Sequence, residues 1–484
     1  MKKISLEAIA FITAFTIGLV SISASGQEDG TITYGKGFRK EEGGWIYLHI
    51  EGSAKKRGEQ MGYLMAKDIE EYITVFKVKL ANETTQTWDD YRKAAEDYIV
   101  AKVDKEYLDE MKGIVKGMEK AGTSGYDLTD IITLNAGLDL GTYFSQASFG
   151  QANNRLLRSI PKGERMRCSA FIATGSATKT GGVVIAHNTW DYYLMCQYDN
   201  IILDIKPTKG ARMLMQGGSP GLIQSGTDFA ITSYGLMITE TCISEAKGYD
   251  VNGIPEFVRV RKATQYAKTI DDFYRILRTG NNGGYPCTWL VGDNNTNEIA
   301  KIELACKNVA FYRSMDGYYD GQNFVDDSKM IREECSKSLW DVSNGGLWPF
   351  NFNCTNNSSF RRMRWFALLD GNKGLVDVDK AKEFLADQTD PLTGVSTQGP
   401  NNIMARYEVC QPKAVPLGAD DGIVTTSELA KNMFLWARFN HPDGSIFTWD
   451  DAFFNANPEY KWQQPYLRNL ENNPWTLFFI APKK

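Results

Sequence analysis

The chain has 484 residues, of which 43% are hydrophobic and 23% charged, so it is long and apolar enough to bury a large core. Its formal charge of −5 gives no electrostatic reason to expect a nucleic-acid partner. At about 150 residues per domain, the length is compatible with three domains or with one large sandwich.

The first 25 residues have the features of a secretory signal peptide. Lys2 and Lys3 precede an apolar run over residues 8–20, and small residues follow, with cleavage expected after Ser23 or Ser25. The alternative is a membrane anchor, but the run is shorter than the roughly 20 residues that cross a bilayer. We therefore predict that residues 1–25 direct export to the periplasm or the extracellular space. No stable membrane insertion is expected of the remaining chain.

The segment from residue 26 to 167 is predicted to be mostly helical. Residues 45–50 alternate between polar and apolar positions and indicate a strand. A loop then leads into a helix that reaches about Leu80. Apolar residues recur at helical spacing over 87–120, where Thr87 and Asp90 favour a helix start and Gly122 a stop. Residues 127–138 indicate a further helix.

From residue 168 onward the pattern changes to short strands interrupted by helices. Strands are predicted near 168–174, 183–188, 199–205, 211–216, 229–233, 235–243, 287–293, 297–305 and 308–313. Helices are predicted at 256–280, 358–370 and 378–388, and residues 341–357 are loop-like. The whole chain is therefore predicted to be of the α+β class.

The eight cysteines all lie in this second part of the chain. None precedes Cys168, and no pair has the CxxC or Cys/His spacing of a metal site. We predict no metal and no cofactor. In an exported protein the simplest expectation for cysteines is disulfide formation, with the pairing left open.

Two reactive side chains fall at one end of a predicted hairpin. Cys168 opens the first strand, and His187 lies near the end of the return strand, so the two should be neighbours. A thiol beside an imidazole is an arrangement for a nucleophile. The alternative is that Cys168 is a small buried residue and that the His187-Asn188 run is a hydrogen-bonded strand end. The other two histidines, His49 and His441, are interpreted as structural.

The same residues carry a family resemblance. The run Arg167-Cys168-Ser-Ala-Phe-Ile-Ala-Thr, followed by Ala-His187-Asn188-Thr-Trp, resembles the phospholipase B-like proteins. It is also similar to the related acyl-transferring N-terminal-nucleophile enzymes, such as penicillin acyltransferase. Further resemblance lies in Arg-Gly-x-Gln-x-Gly at residues 57–62, in Gly-Leu-Met-Ile-Thr-Glu-Thr at 235–241, and in the segment around residues 402–406 and 421–442.

The resemblance implies an N-terminal-nucleophile hydrolase fold, an αββα four-layer sandwich, in which the precursor cuts itself between Arg167 and Cys168. Residues 26–167 would then be a pro-chain and residues 168–484 the catalytic chain, and the two would stay associated. The new α-amino group, with a pKa of about 7.7–8.0, would serve as general base for its own thiol.

The resemblance also implies roles for individual residues. Cys168 would be the nucleophile, His187 and Asn188 would line its pocket, and Thr241 would occupy a second pocket position. At Cys287 the family pattern implies an Asn that donates to the oxyanion. A thiol is a poor donor, so backbone N–H groups, Asn281 or Asn282 would have to serve instead.

The implied function is hydrolysis of an amide or ester bond in a small acyl, peptide-like or lipid substrate. A papain-like cysteine protease is a second possibility, but it requires a Cys at a helix start and a distant His. The third is a non-enzymatic exported protein that uses the same fold to hold a ligand. Loss of turnover and of self-cleavage on thiol alkylation would separate the enzyme from the binding protein.

Overall fold

The computed structural model describes residues 30–149, 168–226, 229–243, 246–335, 358–399, 401–411 and 413–480. The predicted signal peptide, Arg167 and the predicted loop at 341–357 lie outside the described residues. The helices of the described part are α1 Ala54–Leu64, α2 Ala66–Glu83, α3 Trp88–Tyr98, α4 Lys105–Lys120, α5 Leu128–Asn135, α6 Gly137–Phe149, α7 Tyr193–Cys196, α8 Glu256–Tyr266, α9 Ile270–Arg278, α10 Ser328–Glu334, α11 Ser358–Gly371, α12 Val378–Leu385, α13 Ser427–Ala430 and α14 Asp451–Ala456.

The strands of the described residues form two large sheets and one small one. They are β1 Ile32–Tyr34, β2 Gly37–Glu42, β3 Trp45–Gly52, β4 Ser169–Thr174, β5 Val184–Asn188, β6 Trp190–Tyr192, β7 Ile201–Pro207, β8 Met213–Gln216, β9 Phe229–Thr232, β10 Leu236–Cys242, β11 Cys287–Asp293, β12 Glu298–Leu304, β13 Val309–Ser314, β14 Gly317–Gly321, β15 Leu417–Ala419, β16 Asp421–Thr426, β17 Phe434–Phe439 and β18 Thr476–Phe479.

The ten-stranded sheet has the order β1-β2-β3-β7-β8-β9-β10-β11-β12-β13, and the six-stranded sheet has the order β14-β4-β5-β16-β17-β18. Strands β15 and β6 pair separately. The class is therefore α+β, as predicted.

The alternation of side chains along single strands fixes the order of the layers. In β3, Ile46 and Leu48 pack into the core under α1–α6, α8 and α9, while Trp45 and Tyr47 pack between the two sheets. In β4, Ala170 and its neighbours on the same face contact the other sheet, and the opposite face packs against α11 and α12. Because successive residues of a strand point to opposite faces, each sheet separates two cores. The layers run helix, sheet, sheet, helix.

The segment before residue 150 belongs to this architecture and contains strands as well as helices. Strand β3 pairs in parallel with β7 over seven residue pairs, from Ile46 opposite Ile201 to Gly52 opposite Pro207. This is the point at which the first segment of the chain joins the ten-stranded sheet. The main-chain hydrogen bonds of that ladder tie residues 30–149 to the later part of the chain.

The Arg-Gly-x-Gln-x-Gly motif lies on α1 and has a packing role. A Cβ atom on Gly58 or Gly62 would overlap the backbone of α4, and one on Gly113 or Gly117 of α4 would overlap the backbone of α1. Both helices therefore place glycines four residues apart at their contact, so their backbones approach closely. Arg57 is fully buried beside them and donates to Glu110 at 2.5 Å.

Most predicted elements exist, but several are shorter than the sequence pattern indicates. The helix start predicted from Thr87 and Asp90 is present, and the two residues form a capping box there. The helical pattern over 87–120 is interrupted after α3 by a 3-10 turn at Val100–Lys102. None of the helices in the described ranges is long and apolar enough to cross a membrane.

Candidate active site

The hairpin of β4 and β5 brings the predicted site residues together. The two strands are antiparallel, with Ser169 opposite Asn188 and Ala170 opposite His187. Cys168 immediately precedes the first of these pairs and is 4% exposed. The predicted adjacency of Cys168 to the His187-Asn188 strand end is thus confirmed.

Cys168 has a strained backbone. Its φ angle is +81°, in the left-handed region that is costly for a residue with a Cβ atom. The strain persists because both sides of the next peptide unit are held. The Cys168 carbonyl accepts a hydrogen bond from Arg361 Nη1 at 2.5 Å, and the Ser169 N–H donates to Asn188 Oδ1 at 3.1 Å. The C-terminal side of Cys168 is therefore fixed independently of the residues that precede it.

Arg361 of α11 organises this end of the hairpin, and sequence reasoning missed it. Its guanidinium is fully buried and also donates to Ser169 Oγ at 2.9 Å and to Asn323 Oδ1 at 2.8 Å. It lies 4.4 Å from the centre of the Trp190 ring, within cation–π range. Burial lowers the pKa of Arg361 to about 10, and Tyr407, Cys168 and Cys242 oppose that shift. Arg361 therefore remains a cation at neutral pH.

In the structure, the Asn188 side chain joins two backbone segments by hydrogen bonds. Its Nδ2 donates to the carbonyl of Ile403 at 3.1 Å, and the Trp190 ring nitrogen donates to the same carbonyl at 3.1 Å. Because its Oδ1 accepts from Ser169, Asn188 links the strand of the nucleophile candidate to the segment after α12. Its catalytic role stays a prediction.

His187 is held as a buried, neutral imidazole. It is 0% exposed and lies between the two sheets. Burial lowers the pKa of His187 to about 3, although the nearby Glu240 backbone opposes the shift. An imidazole with so low a pKa is a poor general base near neutral pH. The part that His187 takes in catalysis also stays a prediction.

This environment predicts the titration of His187. The unfolded imidazole titrates near pH 6.5, whereas the folded one should stay neutral down to about pH 4, because charging it would require desolvation. Protonation of the unfolded state alone then lowers stability as pH falls below about 6.5. NMR of imidazole-labelled protein can test this, since the chain contains only three histidines. A His187 resonance that titrates near pH 6.5 would contradict the burial argument.

The remaining predicted positions have contacts of their own within the scaffold. Thr241 is fully buried in β10 and contacts Gly321 of the other sheet. Cys287 packs into the core under the helices, and its thiol donates to the Tyr285 carbonyl at 3.2 Å. Of the two alternative donors, Asn281 Nδ2 binds the Ala305 carbonyl and Asn282 Nδ2 binds Asp139. Those two amides are engaged within the scaffold.

Cys168 borders a cavity of about 650 Å³. Helices α2, α3, α5 and α6 and the ends of β6 and β10 contribute to its wall. Apolar side chains form much of the lining: Tyr72, Phe76, Leu80, Tyr91, Leu134, Leu138, Phe144, Met195, Leu222 and Trp462. The volume lies within the range of small-molecule sites. A largely apolar cavity beside a thiol can hold an acyl chain with its carbonyl at the sulfur.

The polar part of the cavity includes Glu240 and Tyr285, which the sequence analysis did not select. Both border the cavity, and the Tyr285 hydroxyl donates to Glu240 Oε1 at 3.3 Å. Burial raises the pKa of Tyr285 well above its usual range, and the charges of Glu240, Cys242 and Cys168 act in the same direction. Tyr285 is therefore a neutral phenol within electrostatic range of both the carboxylate and the thiol.

The two other histidines make contacts within the scaffold, and three further cysteines are free thiols away from the hairpin end. His49 Nδ1 lies 2.7 Å from Asp204, and His441 Nε2 lies 3.0 Å from the Tyr193 hydroxyl. Cys196, Cys306 and Cys410 are free thiols, so the expectation of disulfides does not hold for them. Within the described ranges no group of three or more His, Cys, Asp or Glu side chains could hold a metal ion.

Comparison with known protein families shows which family the chain belongs to. The chain matches the family described as phospholipase B over residues 25–332, more than half of its length. The chain belongs to the phospholipase B family. No curated protein is similar enough to count as a match. The family resemblance inferred from the Cys168 and His187 motifs is thus confirmed.

Membership of the phospholipase B family implies a hydrolase and points to lipids as substrates. The matched range includes Cys168, His187, Asn188, Glu240 and Thr241. Arg361 lies beyond it, although it contacts the residue at the centre of the site. The signal that could have selected Arg361 is an arginine within an apolar helical pattern, and such a residue usually needs a buried partner.

Proposed function

We propose that this phospholipase B family member is an exported N-terminal cysteine hydrolase that cuts itself before Cys168 and cleaves acyl esters or amides of lipid-like substrates. The observation that carries the proposal is the position of Cys168. It opens β4 with a strained φ angle and borders a large, mostly apolar cavity. The helix, sheet, sheet, helix order supports the N-terminal-nucleophile sandwich that the resemblance implies.

Self-cleavage would proceed as an acyl shift. The Cys168 sulfur attacks the Arg167 carbonyl carbon, the amide C–N bond breaks, and a thioester and a free α-amine form. Water then hydrolyses the thioester and leaves a carboxylate on Arg167. Cleavage frees the N-terminal side of Cys168, and the strain of its φ angle is then relieved. That relief favours this step. Arg361 and Asn188 hold the other side throughout.

The freed amine would then supply the base that the site otherwise lacks. It accepts the thiol proton, the thiolate attacks the acyl carbonyl, and the amine returns the proton to the leaving alcohol or amine. Water hydrolyses the acyl-thioester in the second half of the cycle. The low pKa of His187 supports this assignment, because the imidazole is a poor alternative base. The nearby Arg361 cation would favour the thiolate over the thiol.

The two cut chains would stay together. Residues 30–149 contribute β1–β3 to the ten-stranded sheet and α2, α3, α5 and α6 to the cavity wall. Separating them would break the β3–β7 ladder and expose a large apolar core. The first segment would thus remain a permanent part of the substrate site.

Intact mass and N-terminal sequencing of the purified protein test the proposal. Scaling 54.3 kDa over 484 residues gives fragments of about 16 kDa for residues 26–167 and about 36 kDa for residues 168–484. The large fragment should begin Cys-Ser-Ala-Phe, and the small one should begin near Gly26 if the signal peptide is removed. A single chain under all conditions would contradict self-cleavage and would favour a ligand-binding protein.

A further inference from the structure

We propose that this protein docks on the surface of a zwitterionic phospholipid bilayer through two exposed apolar loops beside the substrate cavity. The first loop comprises residues 388–398, and the second loop comprises residues 441–448. Docking would present the cavity with packed lipid rather than with lipid dispersed in water, so the proposal rests on the proposed function of the same site.

Both loops expose large apolar side chains to solvent. Leu392 and Val395 of the first loop are 51% and 58% exposed, and Ile446 of the second loop is 63% exposed. Apolar side chains that lie singly on a surface are common, whereas those that cluster mark sites of contact with a partner or a membrane.

Hydrogen bonds within each loop keep it ordered. In the first loop, the Gly394 N–H donates to the Asp390 carbonyl at 2.9 Å, and the Asp390 N–H donates to the Val395 carbonyl at 3.0 Å. In the second loop, the Gly444 N–H donates to the His441 carbonyl at 2.8 Å. Loops that are ordered before they bind lose little conformational entropy when their tips enter a lipid surface.

The two loops are neighbours on one side of the molecule. Gln388 Nε2, at the start of the first loop, donates to Asp443 Oδ2 of the second loop at 2.8 Å. The second loop is also held from below, because Arg406 Nη2 donates to the Ile446 carbonyl at 3.4 Å. The exposed apolar side chains of both loops therefore contribute to one docking surface.

This docking surface lies at the end of the β4–β5 hairpin that holds the candidate nucleophile. The first loop follows α12, and the carbonyl of Leu385 at the end of that helix accepts a hydrogen bond from Asn188 Nδ2 at 3.3 Å. At the other end of the loop, the Cys410 thiol donates to the Gln398 carbonyl at 3.5 Å. Lys413, shortly after Cys410 in the chain, borders the cavity. A bilayer on the docking surface would therefore place lipid beside the cavity.

The charge of the loops favours a zwitterionic bilayer over an anionic one. Neither loop contains a lysine or an arginine, and each carries one aspartate, Asp390 and Asp443. Each carboxylate accepts a hydrogen bond from a neutral amide side chain, of Asn401 and Gln388 respectively. A phosphatidylcholine surface presents its ammonium groups outermost, where carboxylates attract them, whereas anionic lipids are bound through basic residues. The phospholipase B family and the largely apolar cavity favour lipid over a protein partner.

Co-sedimentation with phosphatidylcholine vesicles tests the docking surface directly. The wild type should bind, and Leu392→Asn and Ile446→Asn should each lower the partition coefficient by at least about tenfold, because an amide replaces an apolar group that enters the lipid. Binding should change by less than about twofold between about 50 and 500 mM salt, since apolar insertion is not screened. Binding should also be no tighter to phosphatidylglycerol vesicles than to phosphatidylcholine vesicles.

Leu375→Asn is the matched control. Leu375 is 54% exposed, but it lies at the turn end of the β4–β5 hairpin, where the Gly374 N–H donates to the Ala177 carbonyl at 3.0 Å. Its substitution should leave vesicle binding within about twofold of the wild type. All three substituted side chains are more than half exposed, so the melting temperatures of the variants should match that of the wild type.

Hydrolysis distinguishes docking from a change in the cavity. The two loop variants should release fatty acid from phosphatidylcholine vesicles at least about tenfold more slowly than the wild type. They should hydrolyse dihexanoylphosphatidylcholine, supplied below its micelle concentration, at the wild-type rate, because single molecules reach the cavity without docking.

Failure of the docking surface and failure of the proposed function have different signs. A wild type that does not bind the vesicles, loop variants that bind as the wild type does, or binding that requires anionic lipid would each overturn the docking surface and leave the hydrolase standing. A wild type that forms a dimer, which Leu392→Asn dissociates, would assign the surface to a second copy of the chain and also overturn it. Vesicle binding that depends on Leu392 and Ile446, without hydrolysis of either lipid, would support the docking surface and contradict the proposed function.

Discussion

Replacing Cys168 by alanine should leave one uncut chain and reduce hydrolysis of acyl esters by at least about 10³-fold, because the substitution removes the atom that forms both thioesters. Gel electrophoresis and N-terminal sequencing report the first effect, and release of fatty acid reports the second. The fold should persist, since the substitution removes only the sulfur atom of one buried side chain.

Substitution of a second cysteine serves as the control for that variant. Cys410 is free and does not border the cavity, so Cys410→Ala should process and turn over at the wild-type rate. Alkylation should inactivate the wild type and Cys410→Ala alike. Normal processing and activity in Cys168→Ala would remove the basis of the proposed function.

Replacing Arg361 by glutamine should be the most destabilising of the changes considered and should also slow processing. The guanidinium donates to the Cys168 carbonyl, Ser169 Oγ and Asn323 Oδ1, all buried. Hydrogen bonds to a charged group contribute about 1.5–3 kcal/mol each, and the stranded acceptors cost more, so we expect a loss of at least about 3 kcal/mol. The melting temperature measures this loss, and the rate of appearance of the 168–484 chain measures the processing defect.

Two further variants separate the position of Arg361 from its charge. Arg361→Lys keeps a cation but cannot bridge the same acceptors, so it should recover only part of the stability. Arg364→Gln, on the same helix, breaks a partly exposed pair with Asp387 and should cost about 1 kcal/mol or less. An Arg361→Gln protein with wild-type melting temperature and processing would show that these contacts do not position Cys168.

The sequence predicted the parts of the fold that depend on neighbouring residues. Alternation of side chains predicted β3, strand-forming runs on either side of a glycine-bounded turn predicted β4 and β5, and Thr87 with Asp90 predicted the start of α3. Helix interruptions were harder to predict, because the 3-10 turn at 100–102 continues the apolar pattern of the helices on either side. The hairpin placed Cys168 beside Asn188 because a short turn determines which strand ends meet.

The tertiary structure alone decided what surrounds the thiol. Arg361 is 193 residues from Cys168 in the chain and reaches it only because α11 packs on the outer face of the six-stranded sheet. Glu240 and Tyr285 border the cavity through the position of β10 and its partner strand, which no local pattern encodes. The sequence by itself determined the nucleophile candidate, the strand that it opens and the family of the chain, because these depend on local spacing. Burial, charge and the shape of the cavity depend on contacts between distant segments, and only folding brings those together.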